Sequence, residues 1–221
     1  FSASVNLYNT SWKDRVDGFT NVSNNVVEIT ETTGQSQLHK GIEFDFVANL
    51  TSQLKLKGFT SIGDWRYVGE VVSRKLDENR NQIGNSTVVD VDGGKVGDAA
   101  QFTVGFGVDY TIIEGLSVDS DFRFYDGLYS NVSAVKQNLE LPAYALLDMG
   151  VSYRLNLGTT KSKSLDFRAN VNNVLDRRYI SELTTNIQAT NTSTLYRGID
   201  VRNNGFFGWG RTWNASVRYN F

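Results

Sequence analysis

The closing nine residues, Trp213-Asn214-Ala215-Ser216-Val217-Arg218-Tyr219-Asn220-Phe221, alternate between apolar and polar side chains without a break and stop on an aromatic ring. Successive side chains of a strand stand on opposite faces, so Trp213, Ala215, Val217, Tyr219 and Phe221 share one face and Asn214, Ser216, Arg218 and Asn220 the other. One face suits lipid and the other water. Seven further segments repeat the pattern. Their apolar sets are Phe1, Ala3, Val5 and Leu7; Ile42, Phe44, Phe46, Ala48 and Leu50; Leu54 and Leu56; Phe102, Val104, Phe106, Val108, Tyr110 and Ile112; Leu116, Val118, Phe122 and Phe124; Leu147, Met149, Val151, Tyr153, Leu155 and Leu157; and Leu165, Phe167, Ala169 and Val171. The intervening positions are strongly polar, with Glu43, Asp45, Asp109, Asp119, Asp121, Arg123, Asp148, Arg154, Asp166 and Arg168 among them.

Each segment is close to the roughly nine to eleven residues with which a tilted strand crosses a bilayer. The connections sort into two kinds. Turns at 51–53, 113–115 and 158–164 are short, whereas 14–38, 66–100, 127–143 and 181–210 are long, polar and rich in Gly, Asn, Ser and Thr. Alternating short and long connections place all the short ones at one end, the asymmetry of an outer-membrane barrel with tight periplasmic turns and long extracellular loops. An all-β fold, a transmembrane antiparallel β-barrel in the bacterial outer membrane, is the expectation. A soluble sandwich with its charges outside is the bland alternative, and a complete eight-stranded barrel with a structural or adhesive role is another.

Composition excludes other classes. No apolar run in the 221 residues approaches the roughly 18 to 20 that a membrane helix needs. There is no Cys, hence no disulfide, thiolate metal site or Cys nucleophile, and a net charge of -2 with scattered cations argues against a nucleic-acid partner. His39 is the only histidine, too little for a metal site or a catalytic triad. Asp90-Val91-Asp92-Gly93 opens like a calcium loop, but Gln101 stands where the closing acid belongs, so a solvated turn is the expectation. Neither an enzyme nor a cofactor or metal protein is indicated.

Six segments resemble the C-terminal half of TonB-dependent receptors of the Bacteroidota type. They are Asn170-Val171-Asn172-Asn173-Val174-Leu175-Asp176-Arg177-Arg178-Tyr179, Gly208-Trp209-Gly210-Arg211-Thr212-Trp213, Leu7-Tyr8-Asn9-Thr10-Ser11-Trp12-Lys13-Asp14, His39-Lys40-Gly41-Ile42-Glu43, Gly63-Asp64-Trp65 and Val96-Gly97-Asp98-Ala99-Ala100-Gln101. The resemblance implies that residues 1–221 are the last eight or so strands of a 22-stranded barrel, the N-terminal plug and early strands lying outside this sequence. It further implies import of a scarce nutrient, of siderophore, cobalamin or glycan type, with this piece supplying wall and ligand-gathering loops. Implied partners are outer-membrane lipid, the TonB complex through the plug, the barrel-assembly machinery, a small-molecule or oligosaccharide substrate, and a surface lipoprotein. Trp213, Tyr219 and Phe221 resemble the terminal assembly signal. Trp65, Tyr67, Tyr144 and Tyr196 are the ligand-binding candidates in the loops, and Trp12, Trp65, Tyr67, Tyr144 and Tyr179 are expected near the headgroup layer.

Overall fold

A computed structural model of the chain describes residues 1–23, 26–158 and 163–221. All eight expected segments are strands: β1 (Ser2–Ser23), β2 (Val26–Asn49), β3 (Leu54–Val68), β6 (Phe102–Ile113), β7 (Leu116–Asp126), β10 (Tyr144–Leu157), β11 (Lys163–Asn172) and β16 (Thr212–Asn220). Each pairs antiparallel with its neighbour in that order, making one continuous meander. Among the described residues β1 pairs only with β2 and β16 only with β11, so the sheet is open and has two free edges.

Register confirms the assignment of faces. Val5 opposes Phe44, Ile42 opposes Ile62, Val104 opposes Phe124, Val151 opposes Ala169 and Phe167 opposes Val217, so the apolar sets form one surface across all eight strands. Its members stay uncovered, for example Leu7 at 74%, Ile62 at 52%, Met149 at 48% and Val217 at 64% exposure. An apolar face this extensive, uncovered by any described element, marks a surface that meets a membrane or another apolar partner. We call it the outer face and the polar one the inner face.

The short connections are closed locally. At 51–53 the Thr51 hydroxyl accepts from the backbone N–H of Gln53 (3.1 Å) and of Leu54 (3.0 Å), and at 113–115 Gly115 supplies the positive φ (83°) of a tight reversal. Most of the third turn, 159–162, lies outside the described residues.

The other end departs from expectation. The segment 14–38 is not a loop: β1 and β2 run on as a ladder as far as Ser23 and Val26, interrupted by irregularities between Trp12 and Asp17. The Val26-Val27-Glu28-Ile29-Thr30-Glu31-Thr32-Thr33 stretch is β-branched at most positions, and that stiffness favours strand even with polar groups on both faces. Within 66–100, Gly69 (φ 78°) kinks the chain so that β4 (Glu70–Leu76) takes over pairing with β2, and β5 (Gln82–Asp90) adds to β4. The segments 127–143 and 181–210 carry short ladders, β8 (Leu128–Tyr129) with β9 (Glu140–Leu141), β12 (Ile180–Leu183) with β15 (Gly205–Phe207), and β13 (Leu195–Tyr196) with β14 (Ile199–Asp200). Two small cores hold this end together: Leu128, Leu141, Ile180, Leu183 and Ile199, and Tyr67, Val71, Val91 and Ala134.

Candidate functional site

The inner face owes its chemistry to glycine. An ion pair between strands once removed needs a side chain to lie flat across the strand between, and a Cβ there would block it. Lys57 on β3 crosses Gly107 on β6 to reach Asp121 on β7 (3.2 Å), while also meeting Asp109 (3.5 Å). Arg168 on β11 likewise crosses Gly150 on β10 to Asp119 on β7. Arg123 pairs with Asp148, whose second oxygen accepts the Asn173 backbone N–H (2.7 Å), and Arg154 pairs with Asp166 (2.6 Å). Read from the sequence, the inward acids Asp119 and Asp121 are satisfied by Arg123, Arg168 or residues of the plug; the structure pairs Arg168 with Asp119, turns Arg123 to Asp148 instead, and gives Asp121 to Lys57, which sequence reasoning missed although it stands on the polar parity of a weakly patterned strand.

Towards the loop end aromatic rings replace charges. Phe59 sits on the polar parity and lies over Gly105, the residue directly opposite it. Tyr8 covers Gly41 and Gly63 in the same way, and its hydroxyl accepts from Trp65 Nε1 (2.8 Å). Trp12, His39 and Trp65, on three adjacent strands, stack at 6.0 and 5.4 Å with Arg15 over Trp12 at 5.0 Å. Tyr125, Tyr144 and Tyr179 form a second stack at 4.9 and 4.1 Å. Between the two stacks lies a recess with Asp45, Phe59, Trp65, Thr103, Tyr125 and Tyr144 in its wall and Ala99, Ala100 and Leu128 from the loops above. Gln101 braces it: its amide accepts from Trp65 N–H (3.2 Å) and donates to Trp65 C=O (2.9 Å).

The four ligand candidates therefore part company. Trp65 and Tyr144 line the same recess. Tyr67 is 4% exposed and packs among Val71, Val91 and Ala134, where it serves the loop core. Tyr196 stands apart on β13, edge-on to Phe207 at 5.6 Å. The headgroup expectation is corrected for the strand aromatics Trp12, Trp65, Tyr67 and Tyr144, all of which have inner-face parity, and for Tyr179, which stacks on Tyr144. Sequence reasoning missed Tyr8, Phe59 and Tyr125, aromatic residues out of phase with the apolar set of their own strand; that phase error is the signal that could have found them.

Trp213, Tyr219 and Phe221 stand on the outer face at 78%, 50% and 94% exposure, with the last two rings 6.0 Å apart. The Asp90–Gly93 segment closes on a turn in which Asp90 accepts the Asp92 N–H (2.9 Å); Asp90, Asp92 and Gly93 are exposed, but the expected solvated turn is corrected at Val91, which is fully buried in the loop core. No group of three metal-ligating side chains occurs among the described residues.

Over residues 1–174 the chain matches the family described as TonB dependent receptor-like, beta-barrel. The Ferrioxamine B receptors of Salmonella typhimurium strains SL1344 and LT2 are each 28% identical to it over 147 residues, which take in 64% of this chain and 18% of theirs. The chain thus aligns with less than a fifth of the length of these relatives. The family is one of receptors and transporters, not of enzymes. An antiparallel sheet with an apolar outer face and a charged inner one, joined to a match over more than half its length, establishes that the chain belongs to the TonB-dependent receptor β-barrel family.

Proposed function

We propose that residues 1–221 are the C-terminal wall of an outer-membrane TonB-dependent transporter of Bacteroidota type, contributing the last eight strands of a 22-stranded barrel that also holds a plug. The receptor imports a scarce nutrient, a siderophore, cobalamin or glycan, captured at the loop end and passed inward with energy from the TonB complex. The observation that carries this reading is the two-faced sheet: an uncovered apolar surface on one side, and on the other a glycine-spaced ion network rising to an aromatic recess. Barrel-assembly machinery reading the terminal aromatics, and a surface lipoprotein over the loops, complete the proposed partners.

The test is genetic and uses the full-length receptor. Cells lacking it are offered ferric siderophores including ferrioxamine B, cobalamin and oligosaccharides, each as the limiting nutrient, with and without a proton-motive-force uncoupler. Loss of growth on one compound, restored by the receptor and abolished by the uncoupler or by Trp65→Ala with Tyr144→Ala, supports the proposal. Uptake that survives uncoupling, or unchanged growth on every compound, contradicts it.

A further inference from the structure

Three carboxylates, Glu43, Asp45 and Asp98, line the recess between the two aromatic stacks, a space of about 660 Å³ whose lining holds no Lys, Arg or His. β2 sets Glu43 opposite Ser61 and Asp45 opposite Phe59 on the inner face, and Asp98 stands in the loop above. Glu43 accepts from Asn6 Nδ2 (3.0 Å), whereas the carboxylates of Asp45 and Asp98 meet no donor among the described residues. The neighbouring cations have acids of their own. Lys57 lies between Asp121 (3.2 Å) and Asp109 (3.5 Å), and Arg123 pairs with Asp148. Lys40, Arg66 and Lys95 gather at Asp64, and Asp126 and Glu140 bring two more carboxylates towards the same point beside Tyr129. Arg15 and His39 sit behind Trp65, on the side of its ring turned away from the recess. The field within the recess is therefore negative, and a cleft lined by one sign of charge concentrates solutes of the other.

The rings select the same charge independently. Trp65 stacks on His39 from the β2 side and Tyr125 on Tyr144 from the β10 side, so each turns its other face to β6, the strand between them, whose inner residues at this level, Thr103 and Gly105, carry no ring. Trp65 leans back over Gly63, towards the level of Tyr125. At about 4.8 Å per strand the two faces stand about 10 Å apart, the width of one ammonium group with a ring within about 6 Å on either side. Aromatic faces are electron-rich and attract a cation, an anion is repelled by rings and carboxylates alike, and a neutral guest gains nothing from the acids. We propose that the recess selects a solute bearing an ammonium group, sandwiched between Trp65 and Tyr125 with Asp45 and Asp98 as its counter-ions. This assigns the charge of the substrate and rests on the reading of the recess as the capture site. A bare metal ion fits less well, because ring faces replace none of its oxygen ligands and no three ligating side chains converge among the described residues.

Calorimetric titration of the full-length receptor in detergent tests the site with two probes, choline and its uncharged carbon isostere dimethylbutanol. Choline is expected to bind about tenfold more tightly. The variant Asp45→Asn, Asp98→Asn should bring choline down to the level of dimethylbutanol and leave dimethylbutanol unchanged. A control that removes the same charge from the loop-end hairpin, Glu70→Gln, Glu78→Gln, should keep the preference. Equal affinity for the two probes, failure of choline to saturate the receptor, or equal losses in the two variants would overturn the site. Calorimetry reads binding and not import, so a choline preference that persists in a receptor whose uptake survives the uncoupler would uphold the site and contradict the transporter reading alone.

Discussion

A single position decides which medium a side chain meets, and the two faces differ by one residue. Val217 opposes Phe167 on the outer face, whereas Ser216 opposes Arg168 on the inner one. In the assembled receptor Val217→Arg is expected to cost about 2 to 4 kcal/mol near the membrane midplane, and Ser216→Arg much less; refolding titrations of both variants compare them, and equal costs would contradict the face assignment. The glycine bridges make a second prediction. Gly150→Val should push the Arg168 guanidinium off the sheet, because a Cβ there meets it directly. Asp119→Asn then costs about 1 kcal/mol in the native background and close to nothing beside Gly150→Val, a double-mutant cycle that returns no coupling if the pair is idle. The sequence exposed the parity and offered Arg168 among the candidates for Asp119, but not the route: a bond from β11 to β7 passes over a glycine that, read along its own strand, looks only like a gap in the pattern.

Elements were legible where one face is apolar and obscure where neither is. Period-two alternation located all eight wall strands, even the weak β3, because a sheet with one apolar and one polar face leaves a residue-by-residue imprint. The extension of β1 and β2 beyond about residue 13 carries polar groups on both faces, so only its β-branched content marked it as strand. The ladders within 181–210 rest on side-chain ties that no periodicity announces. Asp200 is the clearest: nearly fully buried, it accepts from Arg202 Nε (2.9 Å) and pairs with Ser193, and these bonds hold its carboxyl well below the ordinary range. Because the folded value is the lower one, the stabilisation is present above the ordinary carboxylate value of about 3.9 and is lost as pH falls through the folded value. Protection factors for amide exchange at Val201 and Asn203, whose N–H groups are held within this turn, should therefore fall on acidification once the intrinsic pH dependence of exchange is divided out, and Asp200→Asn should abolish that fall; a parallel pH profile in the variant would count against it. Under the proposed assembly role Phe221 is needed before folding is complete. Its deletion is expected to lower the amount of receptor in the outer membrane, and undiminished surface labelling would remove it from the assembly signal.

At the scale of the molecule the governing fact is the open sheet. In lipid every backbone donor and acceptor needs a partner within the protein, and a row of unpaired groups along β1 and another along β16 cannot be left to hydrocarbon. Eight strands could close on themselves, but an eight-stranded barrel has room inside for packed side chains only, and the inner face here presents a recess and a charged lining that stay partly exposed. The proposed continuation into further strands accounts for both edges at once. Expressed alone in detergent, residues 1–221 should show fast amide exchange along β1 and β16 and slow exchange along β3, β6, β7 and β10; in the full-length receptor the two edge strands should become as protected as the rest. A monodisperse monomer of residues 1–221 with both edges already protected would contradict the account.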